Sequence, residues 1–142
     1  MSNKRIYRVN QTIFLIDHLA TKNGPKAILA KGKVLDVNKK DKTFTVAVYG
    51  GTFRKYSLLD YGRLFFNTKK EAIYAIENLP KPLSTVYQKY DNQIFENTVL
   101  GVGSTFTNGV YDLVLFLKSG TLKSTKEIGH SIFLNDLDAI KN

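Results

Sequence analysis

The segment FTVAVY (44–49) alternates: Phe44, Val46 and Val48 fall on one face, and Thr43, Thr45 and Ala47 on the other. Period two belongs to a strand with one buried side, so the first three form an expected core face. The run VYDLVLFL (110–117) predicts a buried strand with Leu113 and Leu115 inside. It falls far short of the ~20 residues that cross a bilayer, and Asp112 interrupts it. KVLDV (33–37) is a third strand-like run, and the polar NKKDK (38–42) after it predicts a hairpin into FTVAVY. Tyr49-Gly50-Gly51-Thr52 marks the next tight turn. HLATKNGPK (18–26) reads as a long loop and GVGSTFTNG (101–109) as a hairpin loop.

Helical signals follow these strands. Phe65 and Phe66 end a strand, and Thr68 can cap a helix with Glu71 at the capping-box position three residues on. TKKEAIYAIENL places Ala72, Ile73, Ile76 and Leu79 on one side at helical spacing. Asn135 and Asp138 hold the same two positions before a much shorter helix, and Phe66 and Phe133 join the expected core.

The segment LPKPL (79–83) divides the chain, because two prolines so close fit neither a helix nor a central strand. The runs on either side correspond in order: KVLDV with TVLGV (98–102), FTVAVY with YDLVLF (111–116), GTF (51–53) with GTL (120–122). GRLFFNTKKEAI (62–73) and GHSIFLNDLDAI (129–140) share Gly, Phe, an acid and Ala-Ile at identical spacing. A tandem duplication accounts for this order. The expected fold is mainly β, a β-rich α+β class with two similar small-barrel-like modules that each end in a short helix. Their bounds are 1–79 and 84–142, with a proline linker at 80–83.

The strand AKGKVLDV (30–37), with Gly32 where such a sheet bends, followed by a hairpin and a Gly-turn, resembles the small barrels of the KOW and Tudor kind. The likeness covers residues 10–66 and again 84–134. The ending FFNTKKEAI looks like the ends of small proteins from Gram-positive phages and mobile elements. The resemblance implies binding modules in such a setting and no catalytic residue.

Charge changes the picture most. The net charge is +9, and residues 1–79 hold all of it, with 15 Lys and Arg against 6 Asp and Glu. Residues 80–142 balance at 6 against 6. So one-sided a distribution points the first half toward nucleic acid, an acidic protein surface or a phosphate-rich ligand. Lysines that merely keep a small protein soluble are the plainer reading. The absence of cysteine removes disulfide scaffolds, thiolate metal sites and cysteine nucleophiles. With no apolar run in MSNKRIYRVNQ, this predicts a cytoplasmic protein without membrane insertion, and the resemblance implies a bacterial or phage-infected cell.

Candidate chemistry is sparse. Asp17-His18 could orient an imidazole and Ser131 follows His130, but a Ser-His-Asp arrangement is recognised by geometry and not by proximity in sequence. Two scattered histidines and dispersed acids offer no metal site, and GVGSTFTNG lacks the Lys-Ser/Thr ending of a phosphate loop. No enzyme, cofactor or metal is expected. The expected contact residues lie in the first half: Lys31, Lys33, Lys39, Lys40, Lys42, Arg54, Lys55, Tyr56 and Arg63, with Lys4, Arg5 and Arg8 on the N-terminal arm. Lysine and arginine contact phosphates without choosing a sequence, and aromatic rings stack on unpaired bases. The chain therefore reads as a non-catalytic binder of nucleic acid or nucleoprotein. The alternative is a phage or mobile-element inhibitor of a host defence protein, such as an anti-CRISPR acting on an RNA-guided nuclease. The neutral second half is open to a protein partner or to pairing with a second copy of the chain.

Overall fold

In a computed structural model, residues 7–48 and 51–142 are described. The chain is mainly β. Its elements run β1 (Thr12–Thr21), β2 (Gly24–Asn38), β3 (Thr43–Val48), β4 (Thr52–Ser57), a 3-10 turn (Leu58–Asp60), β5 (Phe65–Phe66) and α1 (Lys69–Glu77). Then come β6 (Thr85–Tyr90), β7 (Gln93–Thr107), β8 (Val110–Leu117), β9 (Leu122–Ser124), a 3-10 turn (Thr125–Glu127), β10 (Ile132–Phe133) and α2 (Asp136–Lys141). The order strand, long strand, strand, strand, 3-10 turn, short strand, helix thus occurs twice. No helix among the described residues is long and apolar enough to cross a membrane.

Contacts divide the chain into two units. Unit 1 comprises Met1–Ile16, Leu29–Glu77 and Phe106–Tyr111; unit 2 comprises Asp17–Ile28, Asn78–Thr105 and Asp112–Asn142.

In unit 1 the strand order is β5-β1-β2-β3-β4. The alternation in β3 holds, with Phe44, Val46 and Val48 buried. Pairing carries the same face to β4, where Tyr56 lies opposite Phe44 and Arg54 opposite Val46, and to β2, where Val34 lies opposite Val46. Rings fill the centre: Phe44 stacks on Tyr7 at 5.0 Å and meets Phe65 edge-on at 4.8 Å. Tyr111 completes this core, 5.8 Å from Tyr56, and its hydroxyl donates to the Ile16 carbonyl. Gly32 permits the close approach of β2, since a Cβ there would stand 2.3 Å from Val46 Cγ1 and 3.1 Å from Leu15 Cδ1. The register shifts between Val34 and Asp36, so a bulge follows that glycine.

In unit 2 the order is β10-β6-β7-β8, with β9 paired to the far end of β8. Leu113, Leu115 and Phe133 are buried together with Val86, Val99 and Ile132. The Thr125 hydroxyl donates to the Leu113 carbonyl and so ties the second 3-10 turn to this core. β6 turns into β7 through Asp91 and Asn92, both at positive φ (45° and 68°). That is the backbone of a two-residue hairpin turn, which Asp and Asn tolerate.

Three expectations need correction. HLATKNGPK is no long loop: β1 runs to Thr21, turns through Lys22 and Asn23, and β2 begins at Gly24. GVGSTFTNG is mostly strand, and only Asn108 and Gly109 form the turn from β7 to β8. Gly101 and Gly103 sit inside β7 because a Cβ would strike the Pro25 carbonyl oxygen (2.3 Å) and the Phe116 ring (2.7 Å) respectively. On α1 only Ala72 is fully buried; Ile73 is exposed, Ile76 half-buried, and the helix stops at Glu77, short of Leu79. A nine-residue helix packed chiefly on the two-residue β5 has room to cover only one such position.

Candidate nucleic-acid interface

Residues directly opposite each other in antiparallel strands share a face. Two rows cross the outer side of β2-β3-β4 where it is most exposed: Lys33–Ala47–Phe53 and Asp36–Thr45–Lys55. Lys31 lies two residues before Lys33, with buried Gly32 between, and so joins the same side. Lys31, Lys33, Phe53 and Lys55 are all exposed. The middle strand contributes only Thr43, Thr45 and Ala47. The face is therefore low along β3 and walled by Lys31, Lys33 and the acidic Asp36 on β2 and by Phe53 and Lys55 on β4. Lys39, Lys40 and Lys42 are exposed in the turn that joins β2 to β3.

Of the nine residues expected to make contact, these six lysines are at the surface of one sheet and its turn. Arg54 and Tyr56 are not. They point inward, at 7% and 0% exposure, because pairing with Val46 and Phe44 puts them on the core side. The Arg54 guanidinium lies 4.1 Å from the Tyr111 ring centroid, a cation–π distance, and its Nη1 is 3.5 Å from the Tyr56 hydroxyl. Arg63 is half-buried, and its Nη2 holds Asp60 Oδ1 at 2.8 Å, bracing the 3-10 turn. Lys4 and Arg5 lie outside the described residues. The residue that the sequence reading missed is Phe53, 64% exposed beside Lys55. Alternation in TFRKYS leaves two phases open, and the pairing of Tyr56 with Phe44 is what sends Phe53 and Lys55 outward.

The charge follows the units. Among the described residues unit 1 holds 11 Lys and Arg against 5 Asp and Glu, a balance of +6; unit 2 holds 8 against 7, a balance of +1. At an ionic strength of 0.15 M charges act over about 8 Å, so lysines two residues apart on one strand reinforce each other's field.

Unit 2 brings His18 together with Ser104, whose Oγ is 2.8 Å from Nδ1 of the ring. Asp17 Oδ1 stands 3.7 Å from that same Nδ1. A nucleophile relay needs the acid on one ring nitrogen and the hydroxyl on the other. Here both address one nitrogen, so the trio does not have that geometry. No group of three or more His, Asp or Glu among the described residues is placed to hold a metal.

Comparison with protein-family models, with curated proteins and with solved structures finds no match to the chain.

Proposed function

We propose that the chain is a non-catalytic nucleic-acid-binding protein that engages the phosphate backbone through the outer face of β2-β3-β4. The observation that carries this reading is the row of exposed lysines on that one face, Lys31, Lys33 and Lys55, continued by Lys39, Lys40 and Lys42 in the turn. Phosphate contacts of this kind fix position on a strand without reading its bases. The strand order β5-β1-β2-β3-β4, with a 3-10 turn before β5, supports a small barrel of the KOW and Tudor kind in the first half. A repeated ending supports descent of both halves from one module. Gly62 and Gly129, at φ 87° and 90°, donate to Phe65 and Ile132 in matching turns, and Thr68 and Asn135 accept at matching caps.

The test is binding of labelled DNA and RNA at two salt concentrations. Log affinity should fall with log salt by roughly 0.7–0.9 for each phosphate contacted. The double variant Lys33→Glu, Lys55→Glu should flatten that slope by roughly two and weaken binding to all sequences alike. No detectable binding of the parent protein at the lower salt overturns the proposal and leaves the protein-directed inhibitor.

A further inference from the structure

We infer that the basic face takes nucleic acid as a single strand, with Phe53 as the platform on which an unpaired base stacks; this rests on the phosphate-binding reading above. A lone exposed apolar residue is ordinary on any protein. The setting of Phe53 is what distinguishes it. It shares a cross-strand row with Lys33 and a strand with Lys55, two residues on. Between Phe53 and Lys33 the row passes through Ala47, a side chain of one carbon. At about 4.8 Å per strand spacing, β2 and β4 lie about 10 Å apart, with Thr45 and Ala47 as the floor between them.

That trough has the parts of a single-strand site. Lys31 and Lys33 on one wall and Lys55 on the other can follow the backbone, Asp36 across from Lys55 being the acid on this face, and an aromatic ring projects beside them where a base can lie against it. A duplex offers its phosphates to the same lysines but keeps its base faces covered by stacking and pairing, so Phe53 would find nothing to stack on. Phe53 is 64% exposed, so changing it removes little packing from the core.

The chain contains no tryptophan, so Phe53→Trp installs a single fluorescent reporter at the position in question. The probes are unstructured oligo-dU, oligo-U and a mixed-sequence DNA duplex. Phe53→Ala should weaken binding to both single strands about 5- to 150-fold, the range for loss of one stacked base, and change duplex binding less than about twofold. Phe53→Trp should retain single-strand affinity, and its emission should be quenched at saturation by the single strands and not by the duplex. A difference between the two oligomers would then tell DNA from RNA as the preferred source of the strand. Equal losses on single strand and duplex, or unquenched emission at saturation, overturn the stacking site while the salt-dependent phosphate contacts stand. Absence of binding to all three probes at low salt overturns both.

Discussion

A guanidinium taken out of water must recover its lost hydration from the groups around it. Arg54 lies over the Tyr111 ring and near the Tyr56 hydroxyl, inside the core of unit 1. It is therefore expected to matter for stability and not for contact with a ligand. Arg54→Leu should lower the unfolding free energy by about 1–3 kcal/mol in urea titration. Affinity for nucleic acid, measured where the variant remains folded, should stay within about twofold of the parent. A large loss of affinity without loss of stability would return Arg54 to the surface. The sequence made this residue hard to place. Thr52, Arg54 and Tyr56 form one side of β4 and Phe53, Lys55 and Ser57 the other, and neither set is plainly the apolar one. FTVAVY declares its inner face in its own letters; TFRKYS borrows its phase from the partner it pairs with.

At the scale of elements, each half ends in the same short device. A serine (Ser57, Ser124) caps a 3-10 turn by accepting from the amide two residues on, at 3.2 Å in both. The carbonyl of the acid closing that turn (Asp60, Glu127) accepts from the amides three and four residues later. The helix that follows is capped by Thr68 or Asn135 and buries Ala72 or Ala139 completely. Thr68 also exchanges a second bond with Glu71, 2.9 Å from its hydroxyl to the carboxylate. Removing the cap by Thr68→Ala should cost about 0.5–2 kcal/mol, and Thr68→Ser should recover most of it; both are read from urea midpoints. An unchanged midpoint for the alanine variant would mean that α1 holds by its packing on β5 alone. These caps were legible because capping depends on neighbours three residues away. The strands at 17–28 and 101–107 were not. Their residues are polar, glycine-rich or exposed, and they are extended because a partner strand holds them, not because their own pattern requires it.

For the molecule as a whole, the proline segment at 79–83 was easy to read as a boundary, yet unit 1 includes residues 106–111 from beyond it. Tyr111 shows what that segment supplies: a ring 1% exposed, packed on Tyr56 and beneath Arg54, with its hydroxyl on the Ile16 carbonyl. Tyr111→Ala should therefore destabilise the chain by about 3–5 kcal/mol, as loss of a buried aromatic does. A cost below about 1 kcal/mol would show that unit 1 closes without it. Sequence could not have revealed this contribution, since no local pattern in VYDLVLFL records which distant ring Tyr111 meets. The contribution also bears on the timing of synthesis. When Glu77, the last residue of α1, leaves the ribosome, the core of unit 1 still lacks a ring that lies 34 residues downstream. At ~5–20 residues per second the nascent chain waits roughly 2–7 s for it. During that interval the aromatic cluster around Phe44 and Tyr56 lacks the ring that packs on Tyr56 in the folded chain.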